Sequence, residues 1–174
     1  MATGRACVRR MDVLERICLA EADPDNAGIY TANADAYIEK LAALDAEYAA
    51  AVDVADFDTL LFGDRFPFRY LADDYGLSYY AAFVGCSAES EASFETIVFL
   101  AGKADELGLM TMLTIEGDNH RIAETIVANT AAKDAKVLSM DSLQATTGED
   151  VKRGVTYLDV MAANLDVLKQ ALAK

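Results

Sequence analysis

The sequence predicts an α/β fold: one long N-terminal helix followed by a four-stranded parallel sheet with helices on both faces. Three observations carry this expectation. Apolar residues recur at helical spacing from Tyr30 to Val52. From Asp56 onward, short apolar runs alternate with helix-period segments four times. Gly76, Gly85 and Gly108 stand where those segments have to stop. Strands alternating with helices over such lengths are joined by right-handed crossovers, which make the sheet parallel and cover both of its faces.

Asp23-Pro24-Asp25 is a helix start with acids in the first turn, and Tyr30, Tyr37, Leu41, Leu44, Tyr48 and Val52 follow at helical spacing. They predict one amphipathic helix over 25–53, about 40 Å long at about 1.5 Å per residue. Glu39, Lys40, Asp45 and Glu47 are assigned to its wet side. Thr59–Phe62 reads as the first strand, followed by a helix through Phe68–Leu71 that stops at Gly76. Leu77–Val84 is the second strand. Phe94, Ile97, Val98 and Ala101 share a helix face, with Ser93 as N-cap and Gly108 near the end. Met110–Ile115 is the third strand, Asn119 to Val127 a helix, and Lys136–Met140 the fourth strand. Leu158, Met161, Leu165, Leu168 and Leu172 line a closing helix. The resulting organisation is a poorly defined segment 1–22, a long helix 23–55 and an α/β lobe 56–174.

Composition narrows the function classes. With 174 residues, 53% hydrophobic, and only ten glycines and two prolines, the chain is a folded domain with a sizeable core. Its net charge of -14 repels phosphate backbones and anionic lipid, so no nucleic-acid partner is expected, and the same sign suits cations weakly. No apolar run approaches the length of a membrane span, and no export signal is visible in this chain. Cys7, Cys18 and Cys86 are too scattered for disulfides or a zinc knuckle and read as buried free thiols. GxGxxG, GxxxxGK[ST] and GxSxG are all missing, which leaves the common dinucleotide, nucleotide and hydrolase readings unsupported.

In open α/β sheets, ligands gather beyond the carboxyl ends of the strands. The residues there are Gly63-Asp64-Arg65, Gly85-Cys86-Ser87, Glu116-Gly117-Asp118 and Asp141-Ser142. Asp64 and Asp141 each follow a strand directly and offer oxygen ligands of the kind hard or borderline cations accept. The competing reading is that they cap the helices that follow. Glu116 ends the third strand in the same way, with direct ligation and a hydrogen bond to a neighbouring loop both open. Glu89 and Glu91 precede a helix, where acids are favoured by the dipole whatever the function. Asp73-Asp74 reads as solvated helix surface and Tyr79-Tyr80 as strand packing. His120, the only histidine, reads as a surface residue, with adventitious ligation as the alternative.

Several segments in order resemble a known family. They are Asp23-Pro-Asp-Asn26, Asn33-Ala-Asp-Ala-Tyr37-Ile-Glu-Lys-Leu41, Phe68-Arg-Tyr70-Leu-Ala-Asp-Asp-Tyr75-Gly76-Leu77, Gly85-Cys-Ser-Ala-Glu89-Ser-Glu91-Ala-Ser93, Ile115-Glu116, Ile122-Ala-Glu-Thr-Ile126, Val137-Leu-Ser-Met-Asp141-Ser142-Leu143 and Tyr157-Leu-Asp-Val-Met161-Ala-Ala-Asn164-Leu165. Together they resemble solute-binding protein family 9, the metal-binding lipoproteins of bacterial zinc and manganese ABC importers. The resemblance implies two α/β lobes joined by a long helix, with the metal held between them, and this chain resembles the helix plus the C-terminal lobe. Asp141 matches the family's aspartate ligand after the last strand. The ligand after the first strand, a histidine or glutamate, falls on Arg65, whose guanidinium stays protonated and cannot ligate. That position is therefore lost or taken over by Asp64, with Arg65 a charge partner of nearby acids and Glu116 a supporting group behind the ligands.

What this implies is a metal-binding importer component without covalent chemistry, in a truncated or divergent form with an incomplete site. Zinc or manganese binding by this chain alone is expected to be weak or absent. An ABC permease would be its partner, its location extracytoplasmic and membrane-anchored, and an apolar strip on the long helix could mediate self-association. Two alternatives stand beside it: an interaction module derived from the lobe that no longer binds metal, and a small magnesium enzyme using Asp64, Glu116 and Asp141.

Overall fold

The apolar runs become the four strands of one sheet in the computed structural model, which describes residues 18–83, 92–117 and 119–174. Cys7, the Gly85-Cys86-Ser87 turn, Glu89, Glu91 and Asp118 lie outside the described residues. The strands are β1 (Thr59–Arg65), β2 (Ser78–Phe83), β3 (Thr111–Ile115) and β4 (Lys136–Met140). All pairings are parallel and the spatial order is β2-β1-β3-β4. The chain runs outward from β1 to one edge, then returns to β3 and continues to the other. The strand order therefore reverses between β1 and β3, and the crevice beyond their carboxyl ends is where this topology binds ligands.

The helices are α1 (Ala27–Asp53), entered through a 3-10 turn at Pro24–Asn26, α2 (Arg69–Tyr75), α3 (Phe94–Leu107), α4 (Arg121–Asn129), α5 (Gly148–Lys152) and α6 (Tyr157–Ala171). Side chains alternate across the sheet, so each central strand feeds two cores. Leu60, Phe62, Leu113, Ile115 and Met140 pack with Tyr48 of α1, Leu71 of α2 and Met161, Leu165 and Leu168 of α6. Leu61 and Met112 pack on the other face with Leu100, Ala101 and Ala104 of α3 and Ala123 and Ile126 of α4. The expected four-stranded parallel sheet with helices on both faces is what forms.

Local signals act as predicted at several ends. Ser93 Oγ accepts the Thr96 N–H at 3.1 Å and caps α3. Gly76 closes α2 at φ +69°, a left-handed conformation that costs a residue with a Cβ. Other expectations need correcting. The first strand does not end at Phe62: Arg65 still pairs with Phe83, with an irregular register between Phe62 and Arg65. The Gly-Asp-Arg triplet carries no apolar residue, so it reads as a turn, yet it is held by its neighbour strand. Helix α5 was not anticipated; Thr147 and Asp150 cap it reciprocally, and Thr156 and Asp159 do the same for α6. Cys18 is exposed rather than buried, because it precedes α1 and no core reaches it.

Among the described residues, the buried positions of helix α1 lie in its C-terminal half. Leu41 and Tyr48 are its buried residues, and Ile29 near its start is exposed. Tyr48 is 2% exposed, donates its hydroxyl to the Met161 carbonyl at 2.7 Å and stacks on Tyr75 at 5.4 Å between ring centroids. Asp45 is not on the wet side as expected: its Oδ1 accepts the Tyr75 hydroxyl at 2.8 Å. Burial holds both phenols above the ordinary tyrosine range, with Asp45 adding to the effect at Tyr75. No helix among the described residues is long and apolar enough to cross a membrane.

Candidate metal-binding rim

The carboxyl ends of β1, β3 and β4 carry Asp64, Glu116 and Asp141, and the structure treats the three differently. Asp141 follows β4 immediately and opens a tightly held turn. Its main-chain N–H donates to Asn164 Oδ1 at 2.8 Å, and its carbonyl accepts from Asn164 Nδ2 at 2.8 Å. The α6 side chain thus supplies both bonds that a neighbouring strand would have given at this sheet edge. One carboxylate oxygen, Oδ1, accepts the Leu143 N–H at 2.7 Å, and no described residue hydrogen-bonds Oδ2. This self-contained turn leaves Leu143 at φ +63°, a left-handed conformation that a branched apolar residue adopts only when its surroundings impose it.

Glu116 lies between the other two acids, because β3 separates β1 from β4. Its Oε2 accepts the Ser142 N–H and its Oε1 the Ser142 hydroxyl, both at 2.6 Å. Both carboxylate oxygens thus bond to the residue after Asp141. Bonds this short to an ionised acceptor are strong ones, and they tie the end of β3 to the Asp141 turn.

Asp64 is engaged locally. Its Oδ1 accepts the Arg65 N–H at 2.7 Å, and the Arg65 Nε lies 3.9 Å away, with the Asp64 side chain 23% exposed. Arg65 and Asp64 thus form a long, partly exposed ion pair. The loop that follows is anchored by Phe66 and Phe68, both buried against Phe62, with Phe66 stacked on Tyr79 at 3.7 Å. Neither Asp64 nor Asp141 has a capping bond to the helix that follows. Two strand spacings of about 4.8 Å separate the β1 and β4 backbones, so Asp64 and Asp141 stand at the carboxyl end of the same sheet with their backbones about 10 Å apart. Among the described residues, no group of three or more His, Cys, Asp or Glu is arranged to hold a metal ion.

His120 is not the plain surface residue the sequence suggested. It is half-buried at the N-cap of α4 without a capping bond, and its Nδ1 is buried with no hydrogen-bond partner among the described residues. Gly63 brings α4 this close: a Cβ there would lie 2.5 Å from Ala123 Cα. A cavity of about 330 Å³, lined by Val52, Phe57, Asp58, Thr59, Leu107 and Leu109, opens at the amino end of β1, the end of the sheet opposite the rim.

Sequence reasoning missed the roles of Asn164 and Ser142. The signal for Asn164 was present: it falls inside the Met161–Leu165–Leu168 stripe and is 2% exposed, and a polar side chain on a buried stripe needs partners.

Comparisons with known proteins agree with this architecture. Residues 12–171 match the family model described as "Zinc-uptake complex component A periplasmic". The zinc-binding protein AdcA of Streptococcus pyogenes is 32% identical over 163 residues, covering 92% of this chain and 31% of that protein. The metal-dependent lipoprotein YcdH of Bacillus subtilis superposes with a TM-score of 0.76 at 28% identity, covering 91% of this chain and 58% of that one. The Zn(II)-bound ZnuA-like domain of Streptococcus pneumoniae AdcA gives a TM-score of 0.71 at 31% identity, covering 91% and 58%. The chain thus spans about a third of that curated relative and under two thirds of those structures. The family so described is a zinc-uptake component and not an enzyme family, in line with the resemblance to solute-binding protein family 9. The chain belongs to the family of zinc-uptake complex component A.

Proposed function

We propose that this chain is the linking helix (23–55) and C-terminal lobe (56–174), preceded by segment 1–22, of a receptor that captures zinc and delivers it to an ABC permease. Asp141 is the lobe's principal ligand. The observation that carries this reading is its turn: a carboxylate at the carboxyl end of β4 with its backbone fixed on both sides and no described hydrogen-bond partner at Oδ2. Asp64 contributes in place of the ligand that Arg65 cannot supply, and Glu116 fixes the Asp141 turn. Zinc or manganese held by these oxygens alone is bound weakly, since selective sites need about four ligands in fixed geometry. A second lobe supplies the remainder, as the family resemblance implies. Location is extracytoplasmic with a membrane anchor, and the exposed start of α1 supports self-association.

The test is a zinc titration of this chain followed by calorimetry and thermal unfolding. For a dissociation constant near 100 μM, about 1 mM zinc stabilises the fold by about 1.4 kcal/mol, or about 3–6 °C. Asp141→Ala is expected to abolish that rise. An unchanged rise would reject Asp141 as a ligand. No rise in either protein would favour the interaction-module reading, which the lack of a three-ligand group among the described residues supports.

A further inference from the structure

We infer that Asn164 is a positioning residue for the Asp141 carboxylate, a role that rests on Asp141 being a zinc ligand. The amide of Asn164 satisfies the N–H and the C=O of a single residue, Asp141, each at 2.8 Å. These two groups belong to the peptide units on either side of the Asp141 Cα, so the pair of bonds sets both the place of that residue along the strand axis and its rotation. Rotation at Asp141 decides where its Cβ points, and with Oδ1 held by the Leu143 N–H it decides where Oδ2 points.

A residue can orient another only if it is itself held. Asn164 is 2% exposed among Met161, Leu165 and Leu168, and its Nδ2 also lies 3.8 Å from Met161 Sδ. Met161, one helical turn earlier, is pinned from outside α6 because its carbonyl accepts the Tyr48 hydroxyl at 2.7 Å. The same turn of α6 therefore bonds to α1 on one side and to the Asp141 peptide on the other. An apolar residue at position 164 would pack as well on α6 and would leave the Asp141 peptide groups without these partners. Residues that orient metal ligands in this way typically change affinity by about 10- to 100-fold when removed.

The experiment is a double-mutant cycle on the full chain, read by residue-resolved NMR during titration with zinc chloride. Asn164→Ala is expected to raise the zinc dissociation constant by about 10-fold or more while Asp141 is present, and to change nothing further in the Asp141→Ala background. In the unsubstituted chain, the Asn164 side-chain amide signals are expected to shift with the same dissociation constant as the Asp141 amide. That measurement needs no variant to fold. The inference is overturned if Asn164→Ala leaves affinity unchanged, if it weakens zinc equally in both backgrounds, or if the Asn164 signals ignore zinc that saturates Asp141. If Asp141→Ala itself binds zinc as the parent does, the ligand assignment fails and this inference with it. A weakened Asp141→Ala beside an unaffected Asn164→Ala rejects the inference alone.

Discussion

Replacing Gly63 with alanine tests the packing that places the β1 end of the rim. An ideal Cβ at Gly63 lies 2.5 Å from Ala123 Cα, 2.6 Å from Ala123 Cβ and 3.0 Å from Ala123 N. Carbon atoms in ordinary contact stand about 3.5–4.0 Å apart, so the new methyl needs about 1 Å of relief from three atoms at once. Two of the three are helix backbone, which cannot rotate out of the way. Either α4 moves off the sheet as a body, opening the packing of Ala123 and Ile126, or β1 bends next to Asp64. Overpacking of a well-packed core costs about 1–3 kcal/mol, and the backbone partners put this case near about 3 kcal/mol. For a chain of this size that is a fall in Tm of about 6–12 °C. Gly76→Ala is the matched control: nothing lies within 4 Å of its Cβ position, and only φ +69° opposes the change. Its expected cost is about 1–2 kcal/mol. Urea unfolding followed by circular dichroism measures both. A Gly63→Ala protein within about 0.5 kcal/mol of the parent, or one that loses less than Gly76→Ala, would refute the steric argument.

Two further predictions concern charge. Hydrogen bonds from the Thr147 side chain, its backbone N–H and Arg153 hold the Asp150 carboxyl down at about 2. A lowered folded value means that this group's contribution is complete above the ordinary aspartate value of about 4 and is lost as pH falls from there towards 2. Carboxyl NMR is expected to show a late-titrating Asp150 that moves back up in Thr147→Val, and an ordinary titration in the parent would contradict the hydrogen-bond network. The other prediction is a gain: Arg65→His removes the guanidinium 3.9 Å from Asp64 and places an imidazole at that end of β1. Zinc affinity, measured by calorimetry, is expected to rise by at least 10-fold over the parent; no rise would mean that the β1 end does not face the ion.

The fold was legible because its signals are redundant. Runs such as Lys136–Met140 match the observed strand boundaries, and Ser93, Gly76 and Gly108 mark helix ends by local chemistry that needs no tertiary context. The failures share a cause. Gly63-Asp64-Arg65 stays in β1 through its pairing with β2, Asp45 is drawn inward by the Tyr75 hydroxyl, and α4 closes on the sheet where Ala123 meets Gly63. Each depends on a partner distant in sequence, and periodicity sees only neighbours. At the rim, residue type and position at the end of a predicted strand picked out Asp64, Glu116 and Asp141. These signals could not tell which of them is spent on internal bonds, since that depends on Ser142 and Asn164 arriving from β4 and α6.

That division of labour bears on how one lobe can serve a shared metal site. Asp141 is fixed by Asn164, Ser142 by Glu116, and Leu143 by its bond to Asp141 in a left-handed conformation. Three consecutive residues are thus held by contacts within the lobe, so under the proposed role of Asp141 as a ligand little ordering entropy would remain to be lost on binding a cation. Asp64, by contrast, already faces a positive charge from Arg65. A cation approaching β1 meets repulsion from the guanidinium, whereas at β4 it meets an oxygen with no described hydrogen-bond partner. A rigid single ligand on a lobe gives direction more than affinity: it holds weakly alone, and it gains strength when ligands on an opposing surface are brought to the same point, because the cost of placing it has already been met by the fold.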